Sequence, residues 1–223
     1  MISIKRGECP AVLNNASSDG NAYGDSTVIE ALSKMQHGKC CYCEKSIGKS
    51  GHDRAVEHFR PQGNNAFRHL KNTWSNLLHA CAGCNGKKAA HFPLDANANA
   101  LLIDPSDPAV DPEDHIDFNV DDNDDIEFGR ILAKNASQFG AMTIETIGLD
   151  LVARRRERVS GYKNLFGAYV DILEARARDN KTTLQQKVRA FESMLGANNY
   201  HAAFARAFAR WKQLDKRFWC PDL

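Results

Sequence analysis

Apolar residues recur at intervals of three and four along two stretches of the chain, the spacing of amphipathic helices. The first stretch is short. Val28, Leu32 and Met35, with Ser26 as N-cap and Gly38 as stop, predict a helix over about 27–37. The second begins near residue 135 and holds three stripes: Tyr162, Leu165, Phe166, Tyr169, Ile172 and Leu173; Leu184, Val188, Phe191, Met194 and Leu195; and Tyr200, Phe204, Phe208, Trp211 and Leu214. Between the two stretches the helical period is lost. Cys41-Tyr42-Cys43 and Ala55–Phe59 read as short strands, with a turn signal at Gly48–Gly51. Trp74, Leu77 and Leu78 lead an apolar run into Cys81, and residues 82–90 can start a helix. Residues 1–24, rich in Asn, Ser and Gly, and residues 61–65 read as loops. Residues 92–127, rich in Pro, Asp and Asn, predict irregular chain with short strands at most at 101–103 and 116–118. The sum is an α+β fold with a mostly helical C-terminal region, and no internal repeat.

Composition narrows the class. The 223 residues are 43% hydrophobic and 26% charged, enough for a buried core in one large domain or two small ones. There is no run of about 18 apolar residues, so no transmembrane helix is expected. The first residues lack the apolar stretch of a secretory signal, which makes a cytoplasmic location the expectation. The net charge of +1 hides an uneven pattern. Residues 104–127 carry eleven acidic groups and no basic one, flanked by two basic segments. Such asymmetry suits nucleic-acid binding on part of the surface. The belt itself reads as a solvated loop, a partner surface or a guard over a basic site. Its Asp residues lack the ordered pattern of an EF-hand.

Cysteine adds chemistry. The seven are Cys9, Cys40, Cys41, Cys43, Cys81, Cys84 and Cys220. An odd count without an export signal argues against a disulfide framework. Cys40/Cys43 and Cys81/Cys84 form two C-x-x-C pairs, each offering two thiolates from one knuckle, which together fill a tetrahedral zinc sphere. A redox pair would need a thioredoxin-like βαβ context, which is absent. Cys41 falls outside the sphere, and Cys9 and Cys220 have no assigned role.

Between and beside the knuckles lie Glu57-His58-Phe59-Arg60-Pro61, Asn76-Leu77 and Cys81-Ala-Gly-Cys84-Asn85-Gly86-Lys87-Lys88. In this order, over about 50 residues, they resemble the HNH (ββα-metal) endonucleases in their zinc-stapled form. His91-Phe-Pro-Leu94, Leu101-Leu-Ile-Asp-Pro105 and Thr143-Ile-Glu-Thr-Ile-Gly-Leu149 extend the resemblance to a bacterial subfamily, the PtuB-like HNH component of Septu-type and retron-linked anti-phage systems. The resemblance implies a treble-clef-like nuclease core over 38–95, after an N-terminal segment 1–37 and before an acidic segment 96–134 and a helical region 135–223. It also implies an ABC-type ATPase partner of the PtuA kind, and products with 5′-phosphate and 3′-hydroxyl ends.

The residues in that pattern suit phosphodiester hydrolysis. His58, with a near-neutral pKa, is the candidate general base. Glu57 and Asn85 are oxygen donors suited to catalytic Mg²⁺ or Mn²⁺. Asn76 corresponds to the family's middle Asn, which ties a loop so that the base is aimed; alone it could equally cap a helix. Lys87 and Lys88 are placed for phosphate contact. His79 and His91 lie nearby as bystanders or phosphate contacts. Two departures stand out: Glu57 sits where the family more often has Asp, and Asn85 where it has His. Arg154-Arg-Arg-Glu-Arg158 reads as a solvated face or as a phosphate track. Two other functions stay open: a noncatalytic zinc adaptor bridging nucleic acid or an ATPase, and an RNase rather than a DNase.

Overall fold

A computed structural model describes residues 1–17, 20–48, 53–121 and 127–214. Cys220, residues 122–126 of the acidic belt, residues 18–19 of the Asn-rich loop and residues 49–51 of the Gly48–Gly51 turn lie outside them.

The chain is mixed α+β. The first 24 residues, expected to be loop, hold a one-turn helix α1 (Ala11–Asn14), closed by the bond from Leu13 N–H to Pro10 O, and a 3-10 turn Ala22–Gly24 before α2 (Ser26–Met35). The cap of α2 is one residue earlier than its sequence pattern suggests: Asp25, not Ser26, accepts from Thr27 N–H. A carboxylate at that position satisfies an orphan donor and meets the positive helix end. Val28 and Leu32 of α2 are wholly buried against Leu77.

Strand β1 (Arg54–His58) pairs antiparallel with β2 (Leu77–Cys81), with His58 opposite Leu77 and Arg54 opposite Cys81. Helix α3 (Ala82–Lys88) follows without a break. These three elements make a ββα unit. The 3-10 turns Asn65–Leu70 and Trp74–Asn76 lie between the strands. Residues 41–43 are not a strand. They form a tight knuckle in which Cys40 N–H bonds Lys45 O and Glu44 N–H bonds Cys40 O, with only a bridge between Lys39 and Ser46. An extended Cys40–Cys43 stretch could not turn both thiols to one point.

Further on, α4 (Pro112–His115) leads into β3 (Ile116–Phe118), which pairs with β4 (Ile131–Ala133). Residues 101–103 are buried but make no strand, because their backbone is used elsewhere: Leu101 N–H bonds Pro93 O and Ile103 N–H bonds Thr143 Oγ1. Helices α5 (Gln138–Ile147), α6 (Val152–Ala177), α7 (Lys181–Leu195) and α8 (Ala202–Trp211) complete the chain. One core draws on Met1, Ile4, Tyr42, Phe59, Leu78, Ile103, Ile131 and Leu149. A second joins Phe128, Leu165, Phe191, Phe204 and Phe208. The apolar stripes near the C-terminus therefore face mostly inward, although Phe166, Leu173 and Tyr200 are exposed. No described helix is long and apolar enough to cross a membrane.

Candidate functional site

Cys40 and Cys43 come from the knuckle, Cys81 from the end of β2 and Cys84 from the first turn of α3. Their four sulfurs lie within 4.8 Å of one another and all four residues are buried. Tetrahedral zinc with bonds of about 2.3 Å would set its thiolates about 3.8 Å apart, and Cys43 Sγ is 3.9 Å from Cys81 Sγ. Soft sulfur donors in a closed shell fit structural zinc. Burial opposes ionisation of Cys40, but hydrogen bonds from the neighbouring thiols overcome it and hold its pKa well below the ordinary thiol value. Cys81 also accepts from Cys84 N–H, so one residue ends the strand, caps the helix and offers a metal ligand. Cys41 is buried but stands outside the cluster. Cys9 is exposed.

The cluster pins β2 to α3 and so places the residues beside it. Glu57, His58 and Asn85 line one cleft of about 230 Å³, with Pro61, Gln62 and Gly63 on its rim. His58 is 6% exposed, packs edge-on against Tyr23 and hydrogen-bonds Lys71 O through Nε2 at 2.9 Å. A carbonyl can only accept, so Nε2 carries the proton and Nδ1 keeps its lone pair. Burial lowers the His58 pKa against the raising effect of that bond.

Asn76 is buried and acts on the same loop. Its Oδ1 accepts from Arg60 N–H at 2.8 Å, and Nδ2 donates to Arg60 O and Leu70 O. Its own carbonyl accepts from Phe59 N–H. The side chain thus ties the segment that follows His58 to the 3-10 turns, and caps no helix.

Glu57 is 1% exposed. Its Oε1 lies 2.7 Å from Lys88 Nζ and accepts from Tyr42 OH at 3.2 Å. Burial raises its pKa, with Lys88 opposing. Lys88 is fully enclosed, and its Nζ also donates to His58 O at 2.8 Å. The structure therefore seats Lys88 behind the cleft as an internal counter-ion, not on a surface open to phosphate, while Lys87 is exposed. Sequence sees the charge of Lys88 but not its burial. The same holds for Tyr42, which the pattern along the chain did not single out and which is wholly enclosed beside Glu57. His79 is buried with neither ring nitrogen partnered, and His91 is exposed and away from the cleft lining.

The basic run serves the fold. Arg154 donates to Gly148 O and Ile147 O, Arg155 to Phe128 O, and Arg158 to Gly129 O and Leu149 O. Arg156 alone of the four is exposed. In the belt, Asp111 caps α4, and Glu113 binds Arg206 and Arg210 of α8.

Fold and cluster define a class: an α+β protein built on a ββα unit that a four-thiolate clip, able to hold zinc, can close. No family model matches the chain. It is 30% identical to the Septu protein PtuB of Bacillus mycoides (strain KBAB4), over 78% of this chain and 71% of that protein. It is 33% identical to the Septu protein PtuB of Bacillus thuringiensis, over 52% of this chain and 46% of that one. The chain belongs to the Septu PtuB family.

Proposed function

We propose that this chain is a metal-dependent HNH endonuclease, the nucleic-acid-cutting component of a Septu-type anti-phage defence system that works with an ABC-type ATPase of the PtuA kind. The observation that carries the reading is the convergence of Glu57, His58 and Asn85 on one cleft at the end of a thiol-clipped ββα unit. The PtuB relatives supply the link to anti-phage defence.

In this reading His58 takes the proton of the attacking water at Nδ1, the nitrogen left free by the bond to Lys71 O. Asn76 holds the loop that follows, so the ring keeps its orientation. A Mg²⁺ or Mn²⁺ ion held by Glu57 and Asn85 would supply Lewis-acid charge to the phosphate and the leaving oxygen. Lys87, exposed on α3, is the lysine available to the nucleic-acid backbone.

One observation favours a second reading, a noncatalytic zinc adaptor. Glu57 is already neutralised inside the protein by Lys88, as in a purely structural ion pair. The test is cleavage of DNA and of structured RNA by wild type and by His58→Ala, with Mg²⁺, Mn²⁺ or EDTA, and with and without the ATPase. The nuclease reading expects metal-dependent cutting that the mutant loses while keeping its circular-dichroism spectrum. Equal cutting by the mutant removes His58 from the chemistry. No cutting by wild type even with the ATPase selects the adaptor.

A further inference from the structure

A small cavity of about 10 Å³ lies where the knuckle that carries Cys43 meets α6 and the residue that enters α8. Ile131, Leu149 and Phe204 give it apolar walls, and three polar side chains interrupt them: Glu44, Arg158 and His201. Among the described residues, Arg158 Nη2 and His201 Nδ1 are shut off from solvent and have no hydrogen-bond partner. Buried polar atoms are nearly always bonded, and a bare one is destabilising. Since neither atom reaches the surface, whatever meets them must sit inside.

The chemistry of the three groups says what that is. Arg158 is 3% exposed, and its Nε and Nη1 are spent on Gly129 O and Leu149 O. Nη2 keeps a proton to donate, because Asp150 at 3.6 Å is an ion-pair contact too long for a hydrogen bond. The His201 ring bonds the backbone of Cys43. With Nδ1 unpartnered, that bond uses Nε2, which gives its proton to the carbonyl and leaves Nδ1 as an acceptor. Glu44 Oε1 faces the Met1 ammonium at 2.6 Å, but a carboxylate oxygen has two lone pairs, so it can accept once more. An anion would suit Arg158 and be repelled by Glu44 and Nδ1, and a cation the reverse. A neutral species that both accepts and donates suits all three, and the space holds one molecule of water.

We propose that this cavity is a binding site for one ordered water. The water accepts from Arg158 Nη2 and donates to His201 Nδ1 and to Glu44 Oε1. Three bonds are the usual number for a buried water. It joins the cysteine knuckle to α6 and α8, parts that lie far apart in sequence. The proposal is independent of whether the His58 cleft cuts nucleic acid.

A crystal structure of the full zinc-loaded chain, at a resolution that shows ordered water, tests it. One density peak is expected at about 2.7–3.2 Å from Arg158 Nη2, His201 Nδ1 and Glu44 Oε1. An empty density map at this place overturns the proposal. So does an anomalous signal there when bromide replaces chloride, since the ligand is then an anion. In solution, magnetic relaxation dispersion of the water oxygen counts waters held far longer than those at the surface. His201→Leu removes the Nδ1 acceptor and should hold one such water fewer than wild type, with unchanged zinc content and circular-dichroism spectrum. An equal count in the folded variant overturns the proposal, and if His201→Leu does not fold, the wild-type density decides.

Discussion

Lys88 makes two bonds from inside the protein, to the carboxylate of Glu57 and to the carbonyl of His58. Removing one member of such a pair strands the other in a low-dielectric interior. Lys88→Met is therefore expected to lower unfolding stability by about 3–5 kcal/mol. Glu57→Gln combined with Lys88→Met should recover much of that loss, because no bare charge remains. Chemical denaturation of the four proteins closes the cycle. A second residue-scale prediction concerns pH. Burial pushes the His201 pKa down to about 4, whereas the unfolded chain takes up that proton near 6.5. The unfolded state thus binds more protons, and stability falls as pH drops from about 6.5 to about 4, by roughly 3 kcal/mol from this residue. His58 and His79 shift in the same direction and add to the same limb. His201→Gln should flatten part of that limb in thermal melts across pH, and an unchanged slope would acquit His201.

At the scale of elements, the clip joins the knuckle, β2 and α3. About one zinc per chain is expected by elemental analysis. Stripping it, or replacing Cys84 by Ser, should unfold the ββα unit and abolish its helical signal rather than trim activity alone. Elsewhere, α5 approaches β4 and α4 so closely that a Cβ on Gly140 would lie 2.1 Å from His115 O. Backbone must move to admit it, and Gly140→Ala is expected to cost about 1–3 kcal/mol, read as a lower melting temperature. Much of this layer was legible beforehand. The paired C-x-x-C motifs, strand β1, the helix after Cys81 and the C-terminal helices all leave periodic or spaced signals, whereas β2 reads only as an apolar run and residues 41–43 as a strand they do not form. What escaped was set by tertiary bonds. Strand β4 is three residues long, too short to alternate, and exists because Ile131 meets Phe118 across the sheet. Residues 101–103 look like a strand, yet their N–H groups go to a proline carbonyl and a threonine hydroxyl. At the site, the family resemblance grouped Glu57, His58 and Asn85, and all three line one cleft, but enclosure of Lys88 and the carbonyl partners of Arg154, Arg155 and Arg158 depend on the folded surroundings, which no local pattern reports.

For the molecule as a whole, two residues of the acidic belt tie it to the basic helix α8. Glu113 holds both Arg206 and Arg210, and Asp117 also holds Arg210. Glu113→Gln should loosen α8 from α4 and β3 and lower stability by about 1–3 kcal/mol, less at high salt, where the lost attraction is screened anyway. Urea melts of wild type and mutant at two ionic strengths check both statements. The same long reach operates at Glu44. Its carboxylate contacts the Met1 ammonium at 2.6 Å and accepts from Ala203 N–H at 3.3 Å, while Ile2 packs with Ala202 and Ala203. A ribosome adds roughly 5–20 residues each second. The N–H of Ala203 reaches Glu44 only about 8–32 s after Glu44 itself is made. Cys81 and Cys84 follow Cys43 by about 40 residues, so for about 2–8 s a nascent chain carries two knuckle thiols without the pair that completes their cluster. Synthesis time, as much as final stability, is then what exposes this protein to premature metal capture or oxidation.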